Sequence, residues 1–123
     1  MPGRPLVSVV DDDESVRESL PDLLRELGFA VEAFSSAEEF LASPAVNKSR
    51  CVILDIAMPG MTGPDLQNEL ARRGNGVPIV FITAYADEAR REELIERGAV
   101  DCLFKPFADT ILIEAVESAI RRS

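Results

Sequence analysis

Cys51-Val52-Ile53-Leu54-Asp55, followed by Ile56-Ala57-Met58-Pro59-Gly60, is the stretch on which the reading of this chain turns. A run of strand length stays apolar up to a carboxylate, and Pro59 and Gly60 then force a turn. An uninterrupted apolar run, in place of an alternating one, marks a strand covered on both faces. Open parallel sheets contain such strands, and their ligands sit just outside the strands' carboxyl ends. Asp55 stands at such an end.

The same pattern repeats on either side. Leu6-Val7-Ser8-Val9-Val10 reads as a strand stopped by Asp11-Asp12-Asp13. Val16, Leu20, Leu23, Leu24 and Leu27 then recur at helical spacing, with Asp12 or Asp13 as a cap and Gly28 just past the end. Pro21 interrupts that pattern. A proline inside a helix removes a backbone bond and costs ~3 kcal/mol, so a kink or a restart is expected there within one helix. Residues 30–34 form a second strand. Ser36 and Glu39 have capping-box spacing and open a short helix through Phe40 and Leu41. Ser43-Pro44 breaks it, and a polar loop is expected as far as Arg50.

Beyond the opening strand, Pro64 suits the first turn of a third helix with Leu66 and Leu70 facing inward, and Arg73-Gly74-Asn75-Gly76 ends it. Residues 77–83 read as a fourth strand closing on Thr83. Residues 87–97 read as a highly charged helix anchored by Ala89, Leu94 and Ile95, and residues 100–104 as a fifth strand leading to Lys105-Pro106. A last helix turns Ile111, Leu112, Ala115, Val116, Ala119 and Ile120 inward. Strict strand–helix alternation implies a doubly wound α/β fold, a parallel five-stranded sheet between two helical layers joined by right-handed crossovers.

Bulk properties narrow the function. A chain of 123 residues is one domain's length, and 46% hydrophobic with 28% charged residues is ordinary for a soluble globular protein. No apolar run approaches the ~20 residues of a membrane-spanning helix. Met1-Pro2-Gly3-Arg4-Pro5 has no apolar stretch behind it, so no signal peptide is expected and the cytoplasm is the default. The formal charge of −9 argues against this domain gripping nucleic acid itself. Cys51 and Cys102 lie in apolar runs without CxxC spacing and read as buried reduced thiols, and the absence of His removes the commonest general base.

The strand ends carry the chemistry. Asp11 and Asp12 follow the first strand, Asp55 ends the third, Thr83 ends the fourth and Lys105 follows the fifth. Clustered carboxylates raise one another's pKa, and a hard divalent cation relieves that repulsion. Lys105 offers a positive charge to a phosphoryl oxygen and Thr83 a hydroxyl donor. The set suits phosphoryl transfer, in which a carboxylate can itself be the nucleophile. Taken singly each piece is ordinary: an aspartate run caps helices, a strand-end threonine bonds to backbone, and a lone lysine is surface. Their joint placement at the strand ends favours the functional reading.

In Val9-Val10-Asp11-Asp12, Leu54-Asp55 through Gly63, Ile82-Thr83-Ala84 and Lys105-Pro106-Phe107, the chain resembles the receiver domains of two-component response regulators. Gly98 through Asp109 is further similar to regulators of the nitrogen-fixation and nodulation type. The resemblance implies a flavodoxin-like (βα)5 sandwich with strand order 2-1-3-4-5, one receiver domain spanning residues 1–123, and any output domain lying outside this chain. It implies that Asp55 accepts a phosphoryl group from a phosphohistidine on a sensor histidine kinase. Asp12 would bind Mg²⁺ directly and Asp11 mostly through water, with Asp55 and the Ala57 carbonyl as further ligands; Mn²⁺ is an acceptable substitute. Lys105 would contact the phosphoryl group, with a cis bond to Pro106, and Thr83 would move toward it. The implied partners are the kinase, a phosphorylation-dependent second copy, and DNA only through a separate output domain, with no membrane. Catalysis would be limited to phosphorylation and dephosphorylation of Asp55.

Two positions stand out against the family pattern. Three residues before the lysine, where the family usually has an aromatic residue that rotates inward on activation, this chain has Cys102. The expectation is therefore a switch worked by Thr83 and the following loop, without an aromatic rotamer change. Tyr85, two past Thr83, is placed to obstruct an attacking water. Two other classes compete. A Mg²⁺-dependent hydrolase would want a further acid near Asp55, where Ala57 stands, and a cap over its substrate. A pseudo-receiver would have lost one of Asp12, Asp55, Thr83 or Lys105, and none is missing.

Overall fold

The computed structural model describes residues 3–123. Met1 and Pro2, which begin the stretch read as lacking a signal peptide, lie outside the described residues. The elements follow in the order β1 (Leu6–Val10), α1 (Glu14–Glu26), β2 (Ala30–Phe34), α2 (Ala37–Leu41), a 3₁₀ turn (Pro44–Asn47), β3 (Cys51–Asp55), α3 (Gly63–Arg72), β4 (Ile79–Thr83), α4 (Glu88–Glu96), β5 (Asp101–Phe104) and α5 (Asp109–Arg122). The strands form one parallel sheet in the order β2-β1-β3-β4-β5, as the resemblance implied.

Period-two alternation along the strands divides the interior into two cores. Val10, Val52, Leu54, Phe81 and Cys102 point to the side of Phe40, Leu66, Leu70 and Leu94, which come from α2, α3 and α4. Val7, Val9, Cys51, Ile53, Val80 and Ile82 point to the side of Leu24 on α1 and Leu112, Ala115, Val116 and Ala119 on α5. Every residue of β3 and β4 is buried, which is why both read as unbroken apolar runs. Both cysteines are free and buried, and burial pushes the thiol of Cys51 up to about 12 and that of Cys102 up to about 11.

Asp13, one of the two expected caps, does cap α1 by accepting the Ser15 N–H, and α1 is one helix with a buried Pro21 inside it, as expected. Several other local expectations need correction. The stretch expected to be a polar loop before Arg50 contains an ordered 3₁₀ turn with Ala45 and Val46 buried. Ser43 accepts the Ala45 N–H at its start, and the Asn75 side chain donates to the Val46 carbonyl from the other side. The Ser36 cap forms, but Glu39 accepts from the Ser35 hydroxyl instead of completing the box. The complete capping box is at Thr62 and Asp65, in front of α3. On the last helix Ile111 is exposed, although its apolar neighbours face the sheet.

Helix α4 departs furthest from its reading. Ala89 is exposed and Ile95 half-buried, so Leu94 is its one fully buried side chain. Arg91 provides the second attachment. Its Nε donates to the Cys102 carbonyl at 3.1 Å and its Nη2 pairs with Asp101 Oδ1 at 2.7 Å. A truncation that empties a buried leucine site costs roughly 2–5 kcal/mol. Leu94→Ala should therefore destabilise the fold by about that amount in chemical denaturation. A loss close to zero would mean that α4 is held by its polar contacts alone.

Candidate functional site

Asp11, Asp12, Asp55, Ala57, Thr83 and Lys105 arrive at one edge of the sheet because the parallel strands all end there. A cleft of about 210 Å³ opens at that edge, lined by Asp12, Asp13, Asp55, Ala57, Thr83, Ala84, Tyr85 and Lys105. Asp11 lies directly beneath, fully buried. Its Oδ2 accepts from Lys105 Nζ at 3.1 Å, its Oδ1 from the Asp13 N–H at 2.9 Å, and its carbonyl from Arg17 Nη1 at 2.9 Å. Each oxygen of this buried carboxylate thus has a donor, with lone pairs left for a cation. Asp12, next in the chain, is exposed to the cleft.

Asp55 is 7% exposed. Burial is the main cause that pushes its carboxyl from 3.8 up to about 7, the neighbouring Asp11 and Asp12 carboxylates add to it, and Lys105 opposes it. One oxygen from each of Asp11, Asp12 and Asp55 can be chosen so that all lie within 4.8 Å of one another. An all-oxygen set of hard, anionic donors open to solvent on one side suits Mg²⁺ or Mn²⁺, which retain waters, better than a soft or imidazole-seeking metal. Thr83 is buried, and its Oγ1 accepts the Tyr85 N–H at 3.1 Å. Backbone bonds from Ile56 N–H to the Ile82 carbonyl and from Lys105 N–H to the Thr83 carbonyl carry the ladder to its rim. The Lys105–Pro106 bond is cis, as the resemblance implied.

Two supports of the site escape a reading by motif. Gly63 opens α3 so near the strand end that a Cβ would collide with the Asp55 carbonyl and the Ile56 Cα. Gly60 takes a φ of +74°, which disfavours other residues, and the adjacent Met61 N–H donates to Glu38 Oε2 of α2 at 3.1 Å. Glycine and proline punctuation after Asp55 pointed to a turn there. The contacts across to α2 and back to Asp55 carry no local signal.

The model of the response regulator receiver domain family matches residues 7–117. The chain is a response-regulator receiver domain. Nodulation protein W of Bradyrhizobium diazoefficiens is 44% identical over 117 residues, covering 95% of this chain and 52% of that protein. The transcriptional regulatory protein FixJ of Rhizobium meliloti is 41% identical, covering 92% and 55% respectively. Among solved structures, FixJ-N superposes with a TM-score of 0.87 at 40% identity, covering all of this chain and 98% of that one. The response regulator StyR superposes at 0.90 with 43% identity, covering 98% of this chain and 61% of that one. The receiver spans about half the length of the curated relatives it matches. Its place is in two-component signalling, in which the receiver is the phosphoacceptor module. Among the described residues, no helix is long and apolar enough to cross a membrane.

Two outcomes follow from this geometry. An unfolded aspartate ionises near 3.8 and the folded Asp55 near 7, so the folded state holds its proton longer. Stability in EDTA should thus fall as pH rises from about 4 to about 7, by about 4 kcal/mol, and level off above. Asp55→Asn should remove most of that slope in urea titrations; an unchanged slope would place the repulsion elsewhere. Gly63→Ala should displace the end of β3 and slow phosphoryl uptake by the receiver several-fold, measured by mass spectrometry. Uptake at the parent rate would show that the strand end yields freely.

Proposed function

We propose that Asp55 is the acceptor of this receiver and that Asp11, Asp12, Thr83 and Lys105 are its working set. The observation that carries the proposal is the buried Asp55 carboxylate opening on a cleft lined by Asp12, Thr83 and Lys105, with Asp11 beneath it close enough to share a cation. An Asp55 oxygen attacks the phosphorus of a kinase phosphohistidine. The new O–P bond forms as the N–P bond breaks, and the imidazole nitrogen keeps the electron pair. Lys105 faces the oxygens on which negative charge gathers, and its pairing with Asp11 holds the ammonium at that rim. Bound at Asp11, Asp12, Asp55 and the Ala57 carbonyl, a divalent cation would neutralise the carboxylates and the charge on the phosphoryl oxygens. Once the group is on Asp55, the Thr83 hydroxyl can donate to one of its oxygens. The added charge of about −2 is what a partner would then read.

On this reading the receiver turns over no external substrate and catalyses only the gain and loss of its own phosphoryl group. Its source is a sensor histidine kinase. Its readers are a second copy or an output module, transcriptional as in the FixJ-type relatives. Nucleic acid is contacted only through such a module, since the −9 charge opposes direct contact. Residues 1–123 form one receiver unit, and the cytoplasm is its compartment.

Incubation with Mg²⁺ and a small phosphodonor should add one phosphoryl mass to the protein. Asp55→Asn and EDTA should each abolish the gain. An unchanged mass under these conditions would leave a module that only binds, and donor turnover without a covalent intermediate would point to a hydrolase.

A further inference from the structure

Next to the acidic cleft is a second concavity of about 150 Å³, walled by Ile56, Cys102 and Phe104 together with Thr83 and Tyr85. Asp87 and Arg90 also line it. Apolar cavities of about 150 Å³ in proteins are large enough to take a benzene ring. This one exists where Cys102, a small side chain, faces the α4 side of the sheet. Phe104 is half-buried and packed against the core. Tyr85 is different. Its residue is 73% exposed, more than any other large apolar residue described, although it borders the cavity.

Thr83 and Tyr85 line both concavities and so form the partition between them. They are also joined: the Tyr85 N–H donates to Thr83 Oγ1 at 3.1 Å. A turn of the Thr83 hydroxyl toward Asp55 carries that oxygen away from the Tyr85 N–H and releases the backbone that holds the ring outside. An exposed aromatic ring gains by leaving water once its backbone is free to follow. The phenol hydroxyl would not be stranded, because Asp87 offers an acceptor and Arg90 a donor on the same lining.

We propose that Tyr85 is the moving part of the switch, exposed in the resting receiver and seated in the cavity beside Cys102 when Asp55 is phosphorylated. The proposal rests on Asp55 being the acceptor. It replaces the expectation of a readout without an aromatic rearrangement: the ring comes from the loop after β4, and Cys102 supplies the room. Seating removes the ring from the surface in front of α4, which changes what a partner meets there. It also takes the ring away from the cleft, so Tyr85 reads the phosphoryl group and does not shield it.

The receiver contains one tyrosine and no tryptophan, so its tyrosine emission reports Tyr85 alone. The experiment measures acrylamide quenching of that emission before and after Mg²⁺ and a small phosphodonor, with covalent uptake read by mass in the same sample. The expected result is a one-phosphoryl mass gain with a several-fold fall in the quenching constant. Cys102→Phe should fill the cavity, so that the mass gain remains and the quenching constant stays at its resting value. If that variant does not fold, Cys102→Leu gives a smaller block of the same kind. Full mass gain with unchanged quenching in the parent protein would overturn the proposal, as would equal protection in the filled variants. Absence of mass gain would instead defeat the acceptor assignment, and the proposal with it.

Discussion

Like charges held together against their repulsion are the constraint from which the site takes its form. Asp11, Asp12 and Asp55 converge because the neighbouring strands β1 and β3 end at one edge, and the rigidity of the sheet keeps them there. Lys105 relieves part of the strain by pairing with the most deeply buried of them. Removing one partner from a buried pair typically costs 3–5 kcal/mol, because the other charge is left without compensation. On Asp55, burial first and the neighbouring Asp11 and Asp12 carboxylates second leave a carboxyl reluctant to ionise. A cation that eases this repulsion therefore meets a protein already biased to accept it.

The framework that tolerates this strain is apolar and asymmetric. β3 and β4 are buried along their whole length, and α1 and α5 cover one face with a continuous set of aliphatic contacts. On the opposite face α2 and α3 contribute Phe40, Leu66 and Leu70, whereas α4 adds a single buried leucine and a guanidinium clamp. The apolar packing is therefore thickest beneath the end of β3 and thinnest under α4.

Most of the site was legible because its residues sit where apolar runs stop. Asp11, Asp12, Asp55, Thr83 and Lys105 each follow a strand-like segment, and in a parallel sheet such ends share one edge. What escaped depends on segments that meet only in three dimensions. Ser43-Pro44 punctuates a helix equally well whether a loop or a 3₁₀ turn follows, and the Asn75 side chain that supports the turn comes from the far end of α3. Ala89 and Ile111 fit a helical period, yet their helices face the sheet along stripes too narrow to include them. Gly63 belonged to the family motif without a role of its own, and its close approach to the Asp55 backbone exists only in the folded chain. The space beside Cys102 is likewise a property of several side chains at once.

The clamp between Arg91 and β5 has a consequence for the receiver's surroundings. Arg91 and Asp101 are each about one-third exposed, so dissolved ions reach them. At physiological ionic strength the screening length is about 8 Å, and half-exposed pairs weaken as salt rises while Leu94 does not. The seating of α4 is thus tuned by ionic strength and the sheet beneath it is not. Osmotic conditions inside a cell would bear on how readily this face rearranges, even with Asp55 untouched.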